Sequence, residues 1–135
     1  MTSRLDVLLV DDNPINIDLV GFVLGGQGMR VRSARSAAEA LEALAAARPD
    51  VILMDIQMPG TDGLTLTRRL RDDPATRGIT IIAFTAYAMK GDEAKMRAAG
   101  CDGYLSKPID VATFARDILA CVAAAREEAG RTAPP

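Results

Sequence analysis

The chain contains no histidine, so its 135 residues offer no imidazole for Ser-His or Cys-His catalysis and lack the commonest ligand for a transition metal. Its two cysteines, Cys101 and Cys121, lack metal-ligand spacing. Cys121 lies seven residues beyond Phe114, on a stripe with Ile118, and reads as a small buried hydrophobe rather than half of a disulfide. Long apolar runs are missing too: none approaches the roughly 18 residues that a spanning helix needs, and Met1 to Asp6 is too polar to open a secretory signal. The expected location is cytoplasmic, with no membrane partner. Excess charge of either sign is also lacking. A formal net charge of −2 and a pI near 5.1 give no basic footprint, so DNA is not an expected partner.

What is present suits one soluble domain. Hydrophobic residues make up 49% and charged residues 25%, and at this length roughly two thirds of the unfolded surface can be buried without metal or disulfide staples. Short apolar runs alternate with stretches of helical period, the pattern of repeated βα units. Strands are predicted near 5–10, 29–33, 51–55, 80–84 and 102–105, and helices near 14–25, 36–47, 64–72, 88–99 and 110–126. Asn13-Pro14 offers a cap and a first-turn proline, Ser36 and Glu39 have capping-box spacing, and Asp110 can cap the last helix. The third strand is nearly continuous Val, Ile and Leu, as a central strand should be, whereas Arg30-Val31-Arg32-Ser33 suits an edge. The predicted fold class is α/β: a flavodoxin-like, doubly wound, five-stranded parallel sheet of order 2-1-3-4-5, with helices on both faces. Beyond Arg126 apolar periodicity is lost, so residues 1–126 form the expected domain and 127–135 a flexible tail or the stump of a linker.

The chemistry lies where strands end. The first strand runs into Asp11-Asp12 and the third into Asp55; the fourth ends at Thr85 and the fifth just before Lys107-Pro108. In a doubly wound sheet, ligands bind outside the carboxyl ends of the strands, at the switch point between strands one and three. Carboxylates converging there repel one another, and the arrangement persists most easily around a divalent cation. Magnesium fits best, since it takes oxygen ligands and is usually held by one or two carboxylates plus a phosphate. Thr85 and Lys107 add a hydroxyl donor and a positive charge, which a phosphoryl group needs, and Asp55 is the expected nucleophile. Taken singly, each acid has a plainer reading, Asp12 or Asn13 as a cap for the helix at Pro14 and Asp55 as a cap for the turn after it.

Taken together, Leu9-Val10-Asp11-Asp12, Met54-Asp55-Ile56-Gln57-Met58-Pro59, Asp62-Gly63, Thr85-Ala86 and Gly103-Tyr104-Leu105-Ser106-Lys107-Pro108 resemble, in order and spacing, the receiver domain of bacterial response regulators. The resemblance implies that Asp55 receives a phosphoryl group from a phosphohistidine on a sensor histidine kinase or histidine phosphotransfer protein. It implies Mg2+ ligated by Asp12 and Asp55 directly, by Asp11 mostly through water, and by the backbone carbonyl of Gln57. Lys107 would contact the phosphoryl oxygens, with Pro108 fixing its approach through a cis peptide. Thr85 and Tyr104 would form the switch, Thr85 moving toward the phosphoryl group and the ring turning inward. The plainer reading of Tyr104 is an aromatic packed near a sheet edge.

The wording of these motifs is similar to that of hybrid-kinase receivers and of small single-domain cell-cycle regulators. The expected role is a stand-alone receiver that catalyses only its own phosphorylation and dephosphorylation and signals to a downstream effector protein. The alternatives are a receiver fragment of a hybrid kinase, an aspartyl-phosphate hydrolase, or an interaction module with an unused site. In the first helix, Ile17, Val20 and Leu24 form one apolar stripe and Ile15, Leu19 and Phe22 another. A helix apolar nearly all round needs a second surface to pack against. By resemblance, Ile15, Leu19 and Phe22 are candidates for docking the phosphotransfer partner; otherwise the stripe packs beneath a neighbouring helix.

Overall fold

The computed structural model describes residues 5–58, 61–86, 92–107 and 109–132. Its elements run β1 (Asp6–Val10), α1 (Pro14–Gly25), β2 (Arg30–Ala34), α2 (Ala37–Ala46), β3 (Val51–Asp55), β4 (Gln57–Met58), β5 (Thr61–Asp62), α3 (Gly63–Asp72), β6 (Thr80–Thr85), α4 (Asp92–Ala99), β7 (Gly103–Ser106) and α5 (Phe114–Thr132). Five strands pair in parallel in the order β2-β1-β3-β6-β7, which is the predicted 2-1-3-4-5 when only the strands of this sheet are counted.

Side chains alternate across a strand, so each face of the sheet collects every second residue. Leu8 and Val10 of β1, with Ile52 and Met54 of β3, pack under α2, α3 and α4 together with Ala40, Leu66, Leu70 and Met96. Val7 and Leu9, with Val51 and Leu53, pack under α1 and α5 together with Val20, Leu24, Phe114 and Ile118. All of β3 is buried, as its composition predicted.

Local chemistry sets the element ends. Asn13 Oδ1 accepts from the N–H of Ile15 and, more weakly, Asn16, so the cap of α1 is Asn13 and not Asp12. Ser36 Oγ accepts from Glu39 N–H at 3.1 Å, while the Glu39 carboxylate reaches back to Arg35 N–H, one residue earlier than a standard capping box. Edge strand β2 sends Arg32 over the end of α2, where its guanidinium donates to the carbonyls of Ala43 and Ala47, both at 2.8 Å. Those carbonyls carry the negative end of the helix dipole.

At the amino edge of the sheet, Arg71 ties three segments together. It donates to Gly100 O at 2.9 Å, to Arg77 O and Ile79 O at 2.6 Å each, and to Asp102 Oδ2 at 2.8 Å. The same Asp102 oxygen accepts from Ile81 N–H at 2.9 Å. Gly100, at φ +114°, turns the chain out of α4; a β-carbon there would sit 2.6 Å from Arg71 Cγ, so glycine both permits the turn and makes room for the clamp.

Three expectations need correction. Residues 57–58 and 61–62 pair as a short antiparallel ladder where a plain loop was expected. The last helix starts at Phe114 rather than at 110, because Asp110 first closes a turn, accepting from Ala112 N–H on its side chain and from Thr113 and Phe114 N–H on its carbonyl. That helix then continues through Thr132, beyond the expected end at Arg126. Lost apolar periodicity removes a packing face, but the Ala, Arg and Glu residues from Ala123 to Ala129 are good helix formers and carry the backbone on. Both cysteines are free thiols, Cys101 buried and Cys121 only half-buried. Burial pushes both thiols up from their ordinary value, which disfavours the thiolate form.

Candidate active site

Parallel pairing puts the ends of β1, β3, β6 and β7 at one edge of the sheet, and their terminal residues meet there. Asp11 is completely buried and Asp55 nearly so, while Asp12 is half-buried. Each of these three acids offers a carboxylate oxygen within 4.8 Å of the others'. Lys107 enters after β7, its backbone N–H donating to Thr85 O at 2.8 Å, and its ammonium lies between two of the acids, 3.1 Å from Asp11 Oδ2 and 3.2 Å from Asp55 Oδ2.

The other carboxylate oxygens of Asp11 and Asp55 have backbone partners. Asp11 Oδ1 accepts from Asn13 N–H and Asp55 Oδ1 from Gln57 N–H, each at 2.9 Å. The plain reading of Asp55 is therefore half realised: one oxygen closes the following turn, and the other faces the lysine. Asn16 Nδ2 adds a long contact of 3.4 Å to Asp11 Oδ2. Burial is the main cause that pushes the Asp55 carboxyl above its ordinary range, and the charge of Asp11 adds to it. The Gln57 N–H and the charge of Lys107 pull it part of the way back.

Three carboxylates, two of them buried, face one ammonium, a balance that suits a divalent cation. Every donor is a hard carboxylate oxygen, which fits Mg2+ and not a soft metal. Gly63 keeps the loop tight against the site. A β-carbon there would collide with the backbone carbonyl of Asp55 and come within 2.9 Å of Ile56 Cα.

A profile of the response regulator receiver domain matches residues 7–118. The chain belongs to the response regulator receiver family. The polar-differentiation response regulator DivK of Brucella anthropi is 45% identical over 112 residues, spanning 83% of this chain and 91% of that one. The receiver domain of the Pseudomonas aeruginosa sensor histidine kinase PA1611, which holds a magnesium ion in its active-site cleft, is 34% identical at a TM-score of 0.79, covering 90% of this chain and 99% of that one. Vibrio cholerae chemotaxis protein CheY4 is 27% identical at a TM-score of 0.83, covering 88% and 99%. This receiver thus belongs to two-component and phosphorelay signalling. None of its described helices is long and apolar enough to cross a membrane.

The receiver brings together Asp11, Asp12, Asp55, Lys107 and the backbone of Gln57. Thr85, buried at the end of β6, lines a cavity of 100 Å³ beside them, with Gln57, Leu64, Asp92 and Lys95. Tyr104 is half-buried and packs on the core beneath α2, α3 and α4, pairing in register with Ala83. Pro108 lies outside the described residues. Ile15 and Phe22 are each 74% exposed and Leu19 is 38% exposed, so among the described residues no neighbouring helix covers this stripe. Ile17, Val20 and Leu24 of the other stripe face the core.

Sequence reasoning missed Phe84. Its ring lies beneath Lys107, 5.0 Å from ammonium to centroid, and meets the Phe114 ring at 5.7 Å between centroids. Phe84 sits inside an apolar run and reads as core, which it also is. Only the fold of the lysine over it reveals the contact.

Proposed function

We propose that Asp55 accepts a phosphoryl group from a phosphohistidine and that the resulting acyl phosphate switches the receiver's surface. The observation that carries this reading is the Lys107 ammonium shared by Asp11 and Asp55 at 3.1 and 3.2 Å inside a cluster of three acids. An Asp55 oxygen attacks phosphorus, the P–N bond breaks, and the imidazole nitrogen leaves with the electron pair. Lys107 is set to follow the charge from the carboxylates onto the transferring phosphoryl oxygens.

Asp12 and Asp55 would hold Mg2+, with Asp11 through water and the Gln57 carbonyl completing the protein's ligands. When bound, the ion neutralises charge on the acids and on the phosphoryl oxygens. Thr85 would hydrogen-bond the phosphoryl group and draw Tyr104 inward. Phosphorylation would then shift a population between two states already available to the fold.

The donor is a sensor histidine kinase or histidine phosphotransfer protein in the cytoplasm, and the reader is a separate effector protein. The exposed Ile15, Leu19 and Phe22 support α1 as the donor's docking surface. The receiver turns over no other substrate.

Incubation with magnesium and a small acyl-phosphate donor, followed by intact mass, tests the acceptor. One hydroxylamine-labile phosphoryl adduct is expected, absent from Asp55→Asn. Rapid donor hydrolysis with no adduct would instead favour an aspartyl-phosphate hydrolase. For docking, Leu19→Glu is expected to slow transfer from the protein donor at least about tenfold relative to the small donor; equal ratios in parent and variant would sink the docking surface.

A further inference from the structure

We propose that the Phe84 ring is a positioning residue that holds the Lys107 ammonium at the site when the neighbouring carboxylates are engaged elsewhere. This rests on the reading of Asp55 as phosphoryl acceptor. In the structure Lys107 has two carboxylate partners, Asp11 and Asp55, and both belong to the acid cluster that suits a divalent cation. A cation in that cluster would compete for those oxygens and repel the ammonium. The third neighbour, the ring face of Phe84, is not subject to that competition.

An aromatic face attracts a cation through its quadrupole, most strongly where water is excluded. The Lys107 side chain is only 16% exposed and Phe84 only 1%, so the pair meets that condition. The ring is also fixed: Phe114, the first residue of α5, packs against it with the ring planes tilted by 39°. A fixed ring gives the lysine a seat that stays in place when its charge partners change, and so keeps the ammonium where phosphoryl oxygens arrive. An aliphatic residue at this position would be apolar too but would not attract the cation.

The test replaces Phe84 with phenylalanines carrying one, three and five fluorines, which drain the ring face of negative charge at nearly constant volume. Adduct formation on Asp55 at saturating small acyl-phosphate donor and magnesium is expected to slow stepwise, by about three- to tenfold across the series. In magnesium-free protein, the Lys107 side-chain proton resonances, shifted by the ring current, are expected to move toward free-lysine positions in Phe84→Leu. A flat rate across a folded fluorinated series overturns the proposal while leaving Asp55 as acceptor. Lysine resonances unchanged in Phe84→Leu overturn it as well, independently of any phosphorylation. Absence of adduct from the parent protein overturns the acceptor reading, and the ring's part in that reaction with it.

Discussion

The two edges of the sheet each hold a partly buried cation, and they use it in opposite ways. At the amino edge, Arg71 meets four acceptors, and its one acidic partner, Asp102, accepts from a backbone N–H as well. Charge there is matched and every bond has an answering group, so the cluster is inert and ties α3 to the segments before β6 and β7. At the carboxyl edge, Lys107 is shared between two carboxylates with a third close by. Charge there is unmatched, and that surplus of carboxylates suits a divalent cation, which the proposed phosphoryl transfer would need to offset it. Arginine's rigid fork suits the first task and lysine's compact, mobile charge the second.

The largest expected effect breaks the reactive edge: Asp55→Asn abolishes the phosphoryl adduct seen by intact mass, because the amide oxygen is no nucleophile. Next, Lys107→Met slows adduct formation by about a hundredfold, the scale of losing one charged group aimed at the transferring oxygens. Stopped-flow or quenched mass measurements would read it, and a loss below threefold would remove lysine from its assigned role. The opposite edge should respond in stability alone. Arg71→Ala leaves Asp102 without its charge partner, though still bonded to the Ile81 N–H, and takes one donor from each of three carbonyls, at a cost of about 2–3 kcal/mol, or a Tm lower by roughly 10 °C, while adduct formation in the cold is unchanged.

The smallest effect sharpens the contrast through pH. Asp55 in the folded protein has its carboxyl raised above 3.8, chiefly by burial, so the native state binds its proton before the unfolded chain does. Without magnesium, the group's contribution should therefore fall as pH rises from 3.8 through the raised value and stay low above it. Asp55→Asn removes this slope and should melt higher than the parent at neutral pH; adding magnesium should narrow the gap by stabilising the parent. A thermal melt series across pH checks both signs, and a parent that melts higher than the variant in magnesium-free neutral buffer contradicts them.

The parts of this architecture legible in the sequence share one property: they are set by neighbours along the chain. Five apolar runs, the Asn13 cap and the acids that end β1 and β3 follow from local pattern, and once the sheet order is granted, parallel pairing must bring Asp11, Asp12 and Asp55 to one edge. What escaped depends on long reach. Arg71 bonds a carbonyl and a carboxylate 29 and 31 residues away, and nothing in the sequence around it marks a clamp. Phe84 and Lys107 approach through a fold in which each looks ordinary alone. The course of α5 past Arg126 was missed for another reason: periodicity reports a packing face, and a helix sustained by backbone propensity has none to report.

Edge strand β2 carries a further consequence, for behaviour in crowded solution. A parallel sheet leaves an open row of backbone groups along each side, and a second chain can add itself there. β2 meets that hazard with Arg30 and Arg32 only two residues apart, the first loosely paired with Asp6 at 3.7 Å and the second folded over the end of α2. A like strand arriving at this side would bring its own arginines against them. Those charges weigh against growth into a ribbon of like copies, and replacing both arginines with valine is expected to raise self-association, read by light scattering.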